Sequence, residues 1–400
     1  MTGTATPPTT RATGGGATAG GGPTLELNGA AVLRGRSTRT RTPRAEESVE
    51  LEAGARDLHA AVVAELDRRR DAAGLEPADS LPVPVKQLSS FTAEFPRLAR
   101  QAPAALRGAA GAMQHVDVPG ALRGALGFLA RQRELARRQE QGIDVVDDFG
   151  FDREWTETLL PFFDWLFRNY WRVQVRGLEN VPGEGRALLV SNHAGVLPYD
   201  GAMIRTALFE DHPAHRHARA LILNAFFGMP LFSWFLRRTG NTLAHPLDAE
   251  RLLAADELVL VFPEGAKGTG KPWGQRYRLD RFGRGGFASI AIRTGAPIVP
   301  ISVVGSEEVH PMVANLRPLA GALGLPYAPV TPTFPLLGLL GLVPFPSSWI
   351  IEFHQPIPTE HLGPDAAEDQ AQVMQLSDGV RDVIQAGLYA NLERRGSVFA

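Results

Sequence analysis

Ala187-Leu188-Leu189-Val190-Ser191-Asn192-His193-Ala194-Gly195-Val196-Leu197-Pro198-Tyr199-Asp200 decides how this chain is read. Its opening apolar run reads as a strand buried on both faces. The polar, Gly- and Pro-containing residues that follow read as the loop at that strand's carboxyl end. The same grammar recurs in Leu258-Val259-Leu260-Val261-Phe262-Pro263-Glu264-Gly265-Ala266-Lys267. In open α/β sheets, reactive groups collect at the carboxyl ends of strands. The two loops are therefore expected to face one cleft.

Working outward, further strands are expected at 172–175, 298–304 and 349–353. Helical stretches separate several of them. The expected class is α/β: a largely parallel mixed sheet flanked by helices, with helical additions at both ends. The chain divides into a low-complexity, disordered tail (1–45) and a helical, partly basic region (46–150). An α/β domain (151–362) and a C-terminal helix packed on it (363–400) follow. In the second region, Leu51, Leu58, Val62 and Leu66 fall at helical spacing over 46–73, and 77–85 is a Pro-punctuated linker. Over 97–138 there are eight arginines against Asp117 and Glu134. Leu122, Leu126, Leu129 and Ala136 form an apolar stripe beside Arg123, Arg131, Arg133, Arg137 and Arg138. This pattern suits a helix lying on anionic lipid, and equally a basic face of an ordinary soluble helix. The C-terminal stripe is Val373, Leu376, Val380, Ile384, Leu388 and Leu392.

Composition narrows the chemistry. The net charge of −2 gives no argument for nucleic acid as a partner. With no cysteine there is no disulfide, thiolate nucleophile or Cys-ligated metal. The first residues lack the charged start and apolar run of a signal peptide, and no window has the ~20 unbroken apolar residues of a spanning helix. Two apolar segments, 220–236 and 334–346, suit either a membrane surface or the core. The aromatic run Trp155, Phe162, Phe163, Trp165, Phe167, Tyr170 and Trp171 leaves the same choice. His212, His215 and His217 have no carboxylate at metal-site spacing and read as a surface loop, so no metal is expected.

A hydroxyl is a poor nucleophile at neutral pH. It needs a base of matching pKa, and histidine is the natural one. A carboxylate on the other ring nitrogen fixes the tautomer and stabilises the imidazolium. His193 and Asp200 suit these roles. Arg281 and Arg284, beside the glycines that open a helix at about Phe287, suit either phosphate contacts to coenzyme A or a solvated basic loop.

Asn192-His193 with a downstream aspartate, then Phe262-Pro263-Glu264-Gly265, then Val299-Pro300-Ile301, resembles the glycerolipid and lysophospholipid acyltransferase family in order and separation. The resemblance covers about 155–358. The apolar 334–346 stretch ahead of Ile351-Glu352-Phe353 resembles a diacylglycerol-acyltransferase-like branch. The resemblance implies an O-acyltransferase taking a fatty acyl group from acyl-CoA or acyl carrier protein to a glycerolipid hydroxyl, with no cofactor. Its partners would be the lipid acceptor, the thioester donor and a membrane surface, bound peripherally on the cytoplasmic face. His193 and Asp200 would be catalytic. Asn192, Pro263, Glu264, Gly265 and Lys267 would shape the acceptor side, Glu264 by positioning the acceptor or by bracing its loop.

Three departures stand out. Six residues separate His193 from Asp200, where the family usually has four. The middle block, Gly240-Asn241-Thr242-Leu243-Ala244-His245-Pro246, lacks the usual phosphate-holding arginine. Lys267 stands where an arginine is usual, and lysine meets phosphate only as a point charge. These departures weaken phosphate recognition to a small preference for phosphorylated acceptors and give weight to the alternative of a neutral acceptor, as in a diacylglycerol or wax-ester acyltransferase. They also keep open a non-catalytic lipid-binding protein of the same fold.

Overall fold

The computed structural model describes residues 118–143, 146–228, 230–316, 327–334 and 338–399. The expectations for 1–45, 46–73 and 77–85 lie outside them. The strands are β1 (Gln174–Arg176), β2 (Ala187–Ser191), β3 (Ala218–Ile222), β4 (Thr242–Leu243), β5 (Leu258–Val261), β6 (Ile298–Val304), β7 (Ala314–Asn315), β8 (Pro329–Val330) and β9 (Ile350–Phe353). Seven of them form one sheet in the order β1-β9-β6-β2-β5-β3-β4, and β7 and β8 form a separate ribbon. All neighbours in the large sheet run parallel except β6 and β9. The mixed, largely parallel α/β architecture expected from the sequence is the one observed.

The helices are α1 (Val118–Glu140), α2 (Arg153–Glu157), α3 (Leu160–Trp165), α4 (Tyr199–Glu210), α5 (Asn224–Phe227), α6 (Pro230–Arg238), α7 (Pro246–Ala254), α8 (Ala266–Thr269), α9 (Gly286–Thr294) and α10 (Gln370–Arg395). Side chains alternate across a strand, and the two sheet faces divide accordingly. Leu188, Val190, Val259 and Val261 pack with apolar residues of α7, α9 and α10. Ala187, Leu189, Leu258 and Leu260 pack with α4 and with Phe167 and Trp171. Both faces are covered, which is why these strands read as unbroken apolar runs. β2 lies between β5 and β6 in parallel register, so the loops after all three leave one edge of the sheet side by side.

The structure decides readings that the sequence leaves open and changes one. The aromatic run is mostly core: Phe167 is 1% exposed and Trp171 is fully buried, stacked on Trp349 at 4.9 Å. Phe162 is the exception and is exposed. In α1 the described residues of the apolar stripe face outward. Leu126 and Leu129 are exposed, while Leu135 is buried and Arg131 and Arg138 pair with Glu154 near the start of α2. β3 falls partly inside the stretch read as a single apolar segment, and its Arg219 masks the strand in the sequence. That side chain is 1% exposed, bonded to Asp147 (2.6 Å) and to the Gly240 carbonyl (3.1 Å), with its guanidinium over the Phe151 ring. His212 and His217 are buried, not on a surface loop. His212 Nε2 lies 3.0 Å from the Val181 carbonyl, and His217 packs edge-on against Phe151.

Candidate active site

Past Ser191 the chain leaves β2 and is caught at once. Asn192 donates its side-chain N–H to the Val303 carbonyl (3.0 Å) and accepts the Val303 N–H (2.8 Å). Both ends of the amide are therefore taken, and Asn192 clamps the loop to β6. It is 1% exposed, and in this geometry it positions the loop.

The clamp presents His193. Its Nδ1 lies 2.8 Å from Asp200 Oδ2. Asp200 is fully buried in the first turn of α4, where a negative charge is favoured by the helix amides. The same carboxylate accepts the N–H groups of Ala194 (2.9 Å) and Gly201 (2.8 Å). Nδ1 therefore carries the proton, and the lone pair sits on Nε2. The imidazole stacks on Phe262 at 4.2 Å, and its side chain keeps 15% exposure. The imidazole thus has one tautomer, is fixed in two directions and is reachable from outside.

The second loop supports the first. Glu264 has a buried side chain: Oε2 accepts the His193 N–H (3.3 Å) and Oε1 the Asp280 N–H (3.0 Å). Of the two roles expected for Glu264, this geometry is that of the brace. Pro263 bridges the stacking Phe262 and the bracing Glu264, and its ring stiffens that step. Gly265 has φ 55° and ψ −141°, a conformation essentially restricted to glycine. One turn later, a Cβ on Gly268 would stand 2.6 Å from the His193 carbonyl oxygen and 2.8 Å from its Cβ.

Lys267 is exposed on α8. A cation inside the site is Lys271, whose side chain is 5% exposed and whose Nζ is 3.0 Å from Glu264 Oε1 and 3.8 Å from Glu307 Oε1. Burial opposes its charge, but Glu307 and Glu264 outweigh burial and raise its pKa. Glu307 accepts the Tyr277 N–H (2.8 Å). Burial, only partly offset by Lys271, pushes Glu307 up to about 7. Beside it, Glu308 accepts from the Tyr277 hydroxyl and pairs with Arg395 of α10 at 2.9 Å. Burial acts against the Glu308 charge, and Arg395 overrides it to hold the carboxyl below its ordinary value. Arg281 and Arg284 are exposed on the approach to α9. Among the described residues, no hydrogen bond or ion pair joins either guanidinium to the His193 or Glu264 loop; Arg281 lies 4.0 Å from the Met374 sulfur.

A pocket opens beside the pair, lined by Gly195 and Val196 from the His193 loop and by Lys271, Arg276, Glu307 and His310. The Tyr327 hydroxyl donates to the Val196 carbonyl (2.6 Å) and holds that wall. Sequence reading missed Lys271, Glu307 and His310. A signal existed, because Ser306-Glu307-Glu308 follows a third apolar run at the strand next to β2. Among the described residues, no group of three or more His, Cys, Asp or Glu is placed to hold a metal ion.

The family profile described as Acyltransferase matches residues 172–304, which contain both loops and β6. An uncharacterized protein of Mycobacterium tuberculosis is 47% identical over 264 residues, covering 66% of this chain and 74% of that protein. Phytyl ester synthase 2, chloroplastic, of Arabidopsis thaliana is 27% identical over 147 residues, covering 35% of this chain and 21% of that protein. The 1-acyl-sn-glycerol-3-phosphate acyltransferase LPAT1, chloroplastic, of the same plant is 26% identical over 153 residues, covering 36% and 38%. With the profile spanning the site and a relative this similar over most of its own length, the chain belongs to the acyltransferase family.

Proposed function

We propose that this protein moves a fatty acyl group from a thioester, acyl-CoA or acyl carrier protein, to a glycerolipid hydroxyl at a membrane surface. The His193–Asp200 pair carries this reading. His193 Nε2 takes the acceptor proton as the hydroxyl oxygen attacks the thioester carbonyl. The tetrahedral intermediate collapses, the C–S bond breaks, and the thiolate leaves with the proton from the imidazolium. Asp200 keeps the tautomer and stabilises the transient cation. The thioester supplies its own leaving group, so no enzyme nucleophile is required. Arg281 and Arg284 are open to the phosphates of a long donor. The intact pair argues against a binder that has lost catalysis.

Membrane contact rests on the edge of the sheet that holds the loops. The α5–α6 hairpin follows β3, next to β5, and exposes Phe232 and Trp234, with Leu223 just before it. Trp234 meets Trp155, whose indole donates to Gln132 of α1, the helix that exposes Leu126 and Leu129. No helix among the described residues is long and apolar enough to cross a membrane, so the contact proposed is peripheral. The cytoplasmic face is proposed on the nature of the donor alone.

The test is thiol release from acyl-CoA with a panel of lipid acceptors. Folded His193→Ala should release no thiol above background. Near wild-type release would sink the reading.

A further inference from the structure

The cations around the pocket have acidic neighbours. Lys271, Arg276 and Arg395 stand with Glu264, Glu307 and Glu308, and Asp280 also acts on Lys271. Lys271 is held between Glu264 and Glu307. Arg276 lies over the Trp273 ring at 4.2 Å, donates to the Trp273 carbonyl (3.2 Å), and acts electrostatically on Glu308. Arg395 is bonded to both oxygens of Glu308. A phosphomonoester entering here would meet cations that already have carboxylate or aromatic neighbours, and it would meet Glu307, which lines the pocket and is 7% exposed.

His310 adds a second, independent observation. It is 3% exposed, lines the same pocket, and lies parallel to Tyr199, the neighbour of Asp200. Its Nε2 donates to the Leu342 carbonyl (2.8 Å), which leaves a lone pair on Nδ1. That nitrogen is buried and has no hydrogen-bond partner among the described residues. Burial lowers the pKa of the ring and keeps it neutral. A lone pair accepts from a hydroxyl and repels a phosphate oxygen.

We infer that the acceptor is uncharged around its reacting hydroxyl, and that Glu307, with His310 beside it, excludes phosphomonoester acceptors. This rests on the acyl-transfer reading and names the acceptor class for the same site. Glu307→Gln keeps the shape and the acceptor oxygen for the Tyr277 N–H, but removes the negative charge of the carboxylate that lines the pocket. A like charge at this range in a half-dry site is worth about tenfold or more in discrimination.

The experiment compares lysophosphatidate with monoacylglycerol of the same acyl chain. The wild type should favour monoacylglycerol in kcat/KM by at least about tenfold, and Glu307→Gln should shift the ratio toward lysophosphatidate by about tenfold. A wild-type preference for lysophosphatidate, or an unchanged ratio in a folded variant, overturns the inference. Should Glu307→Gln fail to fold, the wild-type pH profile decides. Preference for monoacylglycerol over lysophosphatidylglycerol, whose phosphodiester charge is constant, should climb as pH rises through about 7 and Glu307 ionises. A flat ratio overturns the inference. If neither lipid supports thiol release, it is the acyl-transfer reading that fails. Calorimetric titration with the two micellar lipids then tests selectivity alone: monoacylglycerol should bind and lysophosphatidate should not. Equal binding overturns the inference.

Discussion

Replacing Asp200 by asparagine isolates what the buried carboxylate does. The side chain keeps its volume, and its oxygen can still accept the Gly201 N–H. Two things are lost. The first is charge. During attack the imidazole becomes a cation against a fully buried carboxylate, with 2.8 Å between the facing atoms. Charge centres about 4 Å apart at an effective dielectric of about 20 interact by about 4 kcal/mol. That interaction exists only once the proton has moved, so it falls on the transition state and is worth about a thousandfold in rate. The second loss is the tautomer. An amide N–H facing Nδ1 makes that nitrogen the acceptor and puts the proton on Nε2, where the lone pair is needed. Together they predict a fall of about 10³ to 10⁴ in kcat, smaller than the loss in His193→Ala because a base remains. The assay is steady-state thiol release from acyl-CoA with the acceptor saturating, alongside thermal melting to show that the variant is folded. A folded Asp200→Asn enzyme within tenfold of wild type would refute the assignment of Asp200 as orienter.

Gly268→Ala should cut thiol release by at least about tenfold while costing about 1–3 kcal/mol in urea unfolding, because the new methyl displaces the His193 backbone before anything in the core. Arg395→Met removes the partner of a buried Glu308 and should destabilise by about 3–5 kcal/mol in the same assay. Burial, then the charges of Arg205, Arg153 and Arg219, lower the pKa of His217 to about 3. Below about 6.5 the unfolded chain then binds a proton that the folded chain refuses, so stability falls as pH drops from about 6.5 toward 3. His217→Gln lacks this loss, and its melting temperature relative to wild type should rise over that range.

The parts of this site legible in the sequence are those whose physics is local. Leu188 to Val190 and Leu258 to Val261 are buried on both sides, and an unbroken apolar run can mean little else when a polar turn follows it. His193, Asp200 and Glu264 are legible because a histidine and two carboxylates stand in loops after buried strands, in motifs that resemble a known family. What was not legible depends on contacts between distant segments. Arg219 hides β3 because its charge is balanced by Asp147, 72 positions away. Lys271 looked no different from Lys267, and only folding brings Glu264 and Glu307 around one of them. Leu126 and Leu129 have the spacing of a buried face, yet they are exposed, since spacing says which residues share a face and not what covers it.

The lengthened interval between His193 and Asp200 shows how the two kinds of information meet. Read along the chain, two additional residues weaken the case for a bond. In the fold they cost nothing, because Asp200 is fixed by α4 and not by the loop: its carboxylate sits in the first helical turn and its position follows from where that helix starts. Gly195, with φ 89°, allows the chain to bend away just after His193, and a Cβ there would stand 2.9 Å from the Ser306 carbonyl. The longer excursion places Gly195 and Val196 on the pocket, with Tyr327 bonded to Val196 from the far side. The interval that departs from the family's usual spacing thus supplies one wall of the pocket, and Lys271, Glu307 and His310 line it as well. On the proposed reading, the longer loop and Glu307 act on the acceptor from the same pocket. Shortening the loop by two residues should disturb the choice of acceptor before it disturbs the His193–Asp200 bond.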